Sequence, residues 1–358
     1  MISLSVSMIV KNESEVLARC LDSIQEIADE IIIVDTGSTD DTIDIAKKYT
    51  DKVYTFQWID DFAAARNYSL SKATKDYVMW LDADDIILAS DREKIIKLKN
   101  EIDPQINCVY MFYNTGINNN GKPSLSYLRE RLLKRDDNLV WQEPVHEHLS
   151  YIGASMKYDA AITHGSKTRS SDISTRNLDI YENQIKKGNK LSARAQYYFA
   201  RELKTHGMNE RAIEMYRTFL KNNAAWSEDK ITSCLDLAVL YEQNGDFESM
   251  IEILLHSLSF SLPRQDICCR IGDYMRYKFL FKEAIFWYKT AIELPKPDGM
   301  GFVYEDYLGF IPNIWLSVCY DKIREYETAK MHNDIAKLYK PNHPSVIRNS
   351  EYFDEILK

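Results

Sequence analysis

The chain has 358 residues, room for two domains, and its 45% apolar and 28% charged content is that of an ordinary globular protein. Lys and Arg number 45 against 54 Asp and Glu, a net charge of −9 that argues against binding to nucleic acid or an anionic membrane, whose electrostatic footprint is basic. The six cysteines are scattered, mostly within apolar runs, with neither a zinc spacing nor a disulfide framework. No stretch approaches the ~18 consecutive apolar residues of a membrane span, so a soluble, cytoplasmic chain with buried thiols is expected.

Strand and helix signals alternate through the first half. Residues 4–10 form an apolar, β-branched run, and residues 14–27 place Val16, Leu17, Cys20, Leu21, Ile24 and Ile27 on one helical stripe. A second buried strand at 30–34 leads into Asp35-Thr36-Gly37-Ser38-Thr39-Asp40, a turn that ends in a helix cap. A helix at 41–49, a short strand at 53–56, an Ala-rich helix at 62–73 and a strand at 77–81 follow. A helix at 92–102 and a strand at 109–113 continue the alternation, which implies a mostly parallel sheet with helices on both faces. A polar turn at Asn118-Asn119-Asn120-Gly121 breaks it, and residues 127–134 read as an antiparallel strand. Residues 141–170 carry Trp141, His146, Glu147, His148 and His164 with little periodicity, as loops around a site do.

Amphipathic helices with short turns begin near residue 190. Aligning Ala212, Met250, Ala284 and Ala329 superposes four helix pairs at separations of 38, 34 and 45 residues, near the period of about 34 of the tetratricopeptide repeat. A large apolar residue recurs four places later as Tyr216, Leu254 and Tyr288, while Asn333 breaks the pattern in the fourth unit. Such units bury their apolar faces only by stacking, and the stack offers a concave face to peptides or proteins.

Polar residues collect at the expected strand ends. Lys11, Asn12 and Glu13 follow the first strand, Asp35 and Gly37-Ser38 the second, and Asp82, Asp84 and Asp85 the fourth, with Arg66 and Asn67 on the intervening helix. Open α/β sheets bind ligands outside the carboxyl ends of their strands. An acid there accepts from a base or ribose hydroxyl, an arginine pairs with phosphate, and neighbouring carboxylates hold a hard cation such as Mg²⁺ or Mn²⁺. Each residue also has a purely structural alternative. Glu13 suits a helix start, Asp40 a helix cap, Asp85 a turn and Trp141 a core, and Arg129 and Arg131 read equally as solvated edge charges or diphosphate clamps.

The runs Ser7-Met8-Ile9-Val10-Lys11-Asn12-Glu13, Ile32-Ile33-Val34-Asp35-Thr36-Gly37-Ser38-Thr39-Asp40, Phe62-Ala63-Ala64-Ala65-Arg66-Asn67 and Leu81-Asp82-Ala83-Asp84-Asp85, in this order, resemble the family 2 glycosyltransferases over roughly residues 1–170. The resemblance implies an α/β fold, with an N-terminal GT-A type Rossmann-like mixed sheet followed by an all-α tetratricopeptide-like helical repeat domain. The division it suggests is a catalytic domain at 1–170, a linker helix at 171–190 and repeats at 191–358. It further implies a nucleotide-sugar donor, expected to be a UDP-hexose, a Mg²⁺ or Mn²⁺ cofactor, and inversion at the anomeric carbon. Carried over residue by residue, Val10, Asn12, Glu13, Gly37 and Ala83 would help bind the donor, Asp35 would meet the nucleobase, Arg66 the diphosphate and Asp82 the ribose or sugar. Asp84 would hold the metal together with His164, because Thr163-His164-Gly165 resembles a later metal-binding segment. Pro144-Val145-His146-Glu147-His148 resembles the segment that supplies the catalytic carboxylate, which makes Glu147 the expected base and His146 the alternate.

The two-part architecture is similar to peptide S-glycosyltransferases of the sublancin type, which modify cysteine in bacteriocin-like peptides. A peptide or protein acceptor presented by the repeats is therefore expected. The alternatives are a saccharide or lipid-linked acceptor, with the repeats serving a homodimer, and a non-catalytic peptide-binding scaffold.

Overall fold

Short buried strands and short helices alternate from the amino terminus in this computed structural model, which describes residues 1–117, 123–136, 138–165, 174–296 and 303–358. The expected polar turn at 118–121 lies outside the described residues. Two compact units divide the chain, Met1–His206 and Gly207–Lys358.

The first unit runs β1 (Leu4–Val10), α1 (Leu17–Ile24), β2 (Glu30–Asp35), α2 (Thr42–Ala46), β3 (Val53–Thr55), α3 (Phe62–Leu70), β4 (Tyr77–Leu81), β5 (Asp85–Ile86) and α4 (Ala89–Glu101). It continues with β6 (Ile106–Ile117), β7 (Pro123–Lys134), β8 (Val140–Gln142), β9 (His148–Ser150), β10 (Ala154–His164), α5 (Arg176–Lys186) and α6 (Ala193–Thr205). Helices α1 and α2 are shorter than the apolar periodicity suggests, because Ile27, Tyr49 and their neighbours pack in turns rather than in helix.

The main sheet has the strand order β3-β2-β1-β4-β7-β6-β10-β5. Its first four strands are parallel, which brings the carboxyl ends of β1, β2 and β4 to one edge. Beyond β4 the sheet is mixed, as the antiparallel reading of residues 127–134 expects: β7 runs antiparallel to both β4 and β6. Residues 118–122 are too few for a crossover to a parallel neighbour, so β6 and β7 pair as a long hairpin. Strand β1 is buried on both faces, with Leu4, Val6 and Met8 in the core beneath Leu17, Leu21 and Ile24 of α1. On its opposite face, the Ser7 hydroxyl meets Ser69 of α3 at 2.7 Å, so the small polar pair allows α3 to lie close. Asp61 caps that helix by accepting from the Ala64 N–H at 2.9 Å.

The second unit is helical: α7 (Asn209–Leu220), α8 (Ser227–Gln243), α9 (Phe247–His256), α10 (Gln265–Tyr277), α11 (Phe281–Glu293), α12 (Phe310–Lys322), α13 (Tyr326–Tyr339) and α14 (Pro344–Ile356). Ala212, Met250, Ala284 and Ala329 occupy the same position in α7, α9, α11 and α13, and all are buried. Five residues before each stands a residue with left-handed backbone: Gly207 (φ 72°), Gly245 (73°), Phe279 (59°) and Arg324 (67°). Tyr216, Leu254 and Tyr288 are buried one turn on. Asn333 is also buried, its amide donating to Val346 O at 3.2 Å and to the Ser350 hydroxyl at 2.9 Å, which ties α13 to the terminal helix α14. All six cysteines are free and buried. Among the described residues, no helix is long and apolar enough to cross a membrane.

Candidate active site

A cleft of about 560 Å³ opens at the carboxyl edge of β1 and β4. Val10, Glu13, Arg66, Asp82, Ala83, Asp84, His146, Glu147 and His164 all line it. Asn12, Asp35 and Gly37, expected at the donor, do not. The Asp35 carboxylate is 2% exposed and accepts from the Gly37 and Ser38 N–H groups at 2.9 and 3.1 Å, so it is spent on its own turn. Asn12, at φ 55°, accepts from Thr39 N–H at 2.8 Å and donates its own N–H to the Ser38 hydroxyl at 2.9 Å. Asn12 thus stitches the loop after β1 to the loop after β2, while Asp35 and Gly37 hold the turn of the latter. Asp40 performs a similar task, accepting from Thr42 and from Ser14 N–H.

Arg66 lies at the centre of the cleft floor. Its Nη2 donates to Asp82 at 2.6 Å and its Nε to Glu147 at 2.6 Å. The guanidinium sits over Trp80 at 5.0 Å and Trp141 at 4.9 Å, and those rings meet edge to face. Burial opposes the charge on Arg66, but Asp82 and Glu147 outweigh it and keep the group protonated. Trp141 is core, its backbone clasped on both sides by the Asn67 side chain at 2.8 and 2.9 Å. Two of the three Arg66 nitrogens are therefore engaged by carboxylates rather than left open for a diphosphate.

The three acids after β4 differ sharply. Asp85, the turn residue on sequence grounds, is fully buried and accepts from Asp82 N–H at 3.1 Å, the Tyr113 hydroxyl at 2.9 Å and Arg131 Nη1 at 3.2 Å. Burial pushes its carboxyl up to about 6, against the pull of Arg131. Arg131 is likewise completely buried, packed on Trp80 at 3.8 Å and Tyr113 at 4.5 Å, so it is neither a solvated edge charge nor a clamp. Its Nε and Nη2 have no hydrogen-bond partner among the described residues, and the two ring faces stand in for them. Arg129 by contrast lines the cleft, over the same Trp80 at 4.8 Å.

Backbone pairing carries His164 to the acids. His164 of β10 lies opposite Asp85 of β5, and Gly165 N–H donates to Asp84 O at 2.8 Å. A Cβ on Gly165 would stand 2.7 Å from that carbonyl, so only glycine permits the approach. His164 Nδ1 is 3.5 Å from Asp84 Oδ1, and the donor atoms of Asp84, Asp85 and His164 all lie within 4.8 Å of one another. With Asp85 already filled by three donors, Asp84 is the carboxylate that faces the cleft beside this histidine. A carboxylate oxygen and an imidazole nitrogen at this spacing fit a divalent cation such as Mn²⁺.

Helices α5 and α6 complete the cleft with Arg176, Asn177, Arg194 and Tyr198, none of which was singled out from sequence. Locally they read as ordinary polar positions of amphipathic helices, and only their long-range approach to the loop at 143–147 distinguishes them. His146 in that loop has φ 54°, stacks on Tyr198 with centroids 4.1 Å apart, and binds Glu202 through Nε2 at 2.9 Å.

A family model described as Glycosyl transferase family 2 matches residues 5–162, and one described as Tetratricopeptide repeat matches residues 231–261. A TPR repeat-containing protein of Synechococcus elongatus is 34% identical over 148 residues, covering 41% of this chain and 35% of that protein. The SPbeta prophage-derived glycosyltransferase SunS of Bacillus subtilis is 25% identical over 294 residues, covering 78% of this chain and 67% of that one. An uncharacterized glycosyltransferase of Rickettsia conorii is 32% identical over 111 residues, 31% of this chain and 35% of its own length. The chain thus matches well under half the length of the Synechococcus and Rickettsia proteins and two thirds of SunS. The mixed sheet with its acid-lined edge and the helical second half accord with both matches: this chain carries a glycosyl transferase family 2 domain over residues 5–162 and a tetratricopeptide repeat over residues 231–261.

Proposed function

We propose that the protein is a metal-dependent inverting glycosyltransferase that moves a hexose from a UDP-sugar to a side chain of a peptide or protein. The observation that carries this reading is the continuous line of groups across one cleft: Asp84 beside His164, then Asp82, Arg66 and Glu147 joined by two 2.6 Å contacts. Asp84 and His164 would hold Mn²⁺ or Mg²⁺, which supplies charge neutralisation for the departing diphosphate. Asp82, oriented by Arg66, faces the ribose or sugar, and Arg129 offers the second phosphate contact that Arg66 cannot. Glu13 and the chain at Val10 and Ala83 bound the donor side of the cleft. Asn12, Asp35 and Gly37 act through the loop they shape. At the far end, Glu147 and His146 are the groups placed to take the acceptor proton.

The catalytic work falls to residues 1–170 together with α5 and α6, which complete the cleft, and the helical repeats that follow present the acceptor. The SunS relative, itself called a glycosyltransferase, supports transfer chemistry. Six buried free thiols suit a reducing compartment such as the cytoplasm.

A thermal-shift panel of nucleoside diphosphates, with and without Mn²⁺, tests the donor. UDP with Mn²⁺ is expected to stabilise the protein by about 2.7 kcal/mol at a hundredfold excess over Kd, and Asp84→Ala to abolish the metal-dependent part. Unchanged melting with UDP and Mn²⁺ would overturn the donor and metal assignments. Label from UDP-[¹⁴C]hexose that survives protease digestion in a carbohydrate or lipid fraction would overturn the peptide acceptor.

A further inference from the structure

His146 is built to be more than a neighbour of Glu147. Its imidazole lines the cleft with the side chain 32% exposed, and its Nε2 is 2.9 Å from Glu202 Oε1 of α6. Glu202 is itself fixed, since Asn177 of α5 donates to the same oxygen at 3.1 Å. The ring is held flat against Tyr198, 13° from parallel, and its backbone carbonyl accepts from Arg194 Nε at 2.9 Å. The loop adopts a left-handed backbone at this non-glycine residue, a conformation that costs about 1 kcal/mol or more and persists only where the surroundings enforce it. Helix α6, which lies outside the residues matched by the family model, supplies the enforcing contacts.

Glu147, by comparison, is tied to Arg66, so its carboxylate already serves a permanent cation. Among the described residues no arginine or lysine lies within ion-pair distance of Glu202, whose close partners are the imidazoles of His146 and His206, with Arg176 farther off. Burial alone would raise its carboxyl, but the hydrogen bonds from His146 and Asn177 outweigh it and hold the group below the usual glutamate range. An ionised Glu202 is an acceptor, so the proton of the neutral imidazole sits on Nε2 and the lone pair on Nδ1.

We propose that His146 is the general base for the acceptor and that Glu202 is the positioning residue that fixes its tautomer and faces its charge. This rests on the glycosyl-transfer reading above. In the step, a hydroxyl or thiol of the acceptor gives its proton to His146 Nδ1 as its heteroatom bonds to the anomeric carbon. The anomeric C–O bond breaks, and its electron pair leaves on the diphosphate. The imidazolium that forms lies against the Glu202 carboxylate, with His206 Nε2 3.9 Å from the other oxygen and Arg176 and Arg194 on the flanking helices. A carboxylate behind an imidazole sets both orientation and tautomer, and its loss falls on kcat rather than on donor binding.

The test uses the full chain with Glu202→Gln, Glu202→Asp and His146→Ala, each checked for an unchanged Mn²⁺-dependent thermal shift with UDP. Glu202→Gln and His146→Ala are expected to lower kcat by about 10²–10⁴-fold with the donor KM within about twofold of the parent. Glu202→Asp, which keeps the charge, recovers at least about tenfold of the lost rate. Imidazole ¹⁵N NMR of the parent, which needs no turnover, is expected to show His146 protonated at Nε2 and bare at Nδ1 near neutral pH. Parent-like kcat in Glu202→Gln, or an Nδ1–H tautomer in the parent, overturns the dyad. A parent that transfers sugar from no nucleotide donor overturns the glycosyl-transfer reading and the base assignment together, while the NMR result alone decides whether Glu202 sets the tautomer.

Discussion

Asp85 and Arg131 pair at 3.2 Å with neither side chain reaching solvent, directly beneath the acids that face the cleft. Removing one member of a buried pair strands the other charge, at a cost on the order of 3–5 kcal/mol. Arg131→Met is therefore expected to lower the unfolding free energy by about that amount. Combining it with Asp85→Asn removes the stranded charge and returns a substantial part of the loss. Urea denaturation of both variants checks this, and a double variant no better than the single would show that Asp85 is not the group at risk.

Arg66 bridges Asp82, just after β4, and Glu147, in the loop between β8 and β9. Lysine keeps the charge but lacks the planar fork that donates along two fixed directions. Arg66→Lys is expected to reduce kcat/KM by about 10²-fold, the scale of a misplaced reacting group. Steady-state rates with the preferred donor measure it, and an effect confined to melting temperature would mean the bridge only holds the fold.

The pH dependence of stability has one clear contributor away from the cleft. Glu30 is buried beneath hydrogen bonds from Lys52, Ser5 and Thr74. Burial would raise its carboxyl, but those bonds outweigh it and hold the group at about 2 against an ordinary 4.5. A depressed carboxyl stabilises the fold above its unfolded value and loses that contribution as pH falls toward its folded value. Stability worth on the order of 3 kcal/mol should therefore drain between about pH 4.5 and pH 2. Glu30→Gln is expected to be less stable at pH 7 and to show a flatter acid limb by calorimetry.

Among the repeats, Phe279 stands at φ 59° where the equivalent turns have Gly207 and Gly245. Its side chain is 78% exposed, so little packing is at stake. Phe279→Gly is expected to raise stability by about 0.5–1 kcal/mol, the relief of left-handed strain less the added freedom of the unfolded chain. Gly245→Ala, with open space around the new methyl group, should lose about 1 kcal/mol. Thermal melts of the two variants should shift in opposite directions.

What could be read from sequence followed burial. Strands β1, β2 and β4 are enclosed on both faces and so appear as uninterrupted apolar runs with close to their true limits. The helix pairs were equally visible because Ala212, Met250, Ala284 and Ala329 each mark a close approach at one helix position. Asn12 and Asp35 show what motif reading leaves out, since the motif does not reveal the hydrogen bonds by which these residues shape the loops after β1 and β2. Asp85 was hidden for another reason: a buried anchor and a turn acid look alike until Tyr113 and Arg131 are brought to it from strands β6 and β7. Glu202, Tyr198 and Arg194 could not be found at all, because their partner loop is some fifty residues away and nothing in a helical pattern encodes that meeting.

The left-handed turns at Gly207, Gly245, Phe279 and Arg324 keep a constant distance from the buried residue five places on, although the repeats themselves differ in length. The longest separation, between α11 and α12, falls in a linker between hairpins, whereas the joint inside each hairpin stays the same even where α8 is longer than its counterparts. A joint of fixed geometry separates the folding of each hairpin from the length of the chain that leads to the next one.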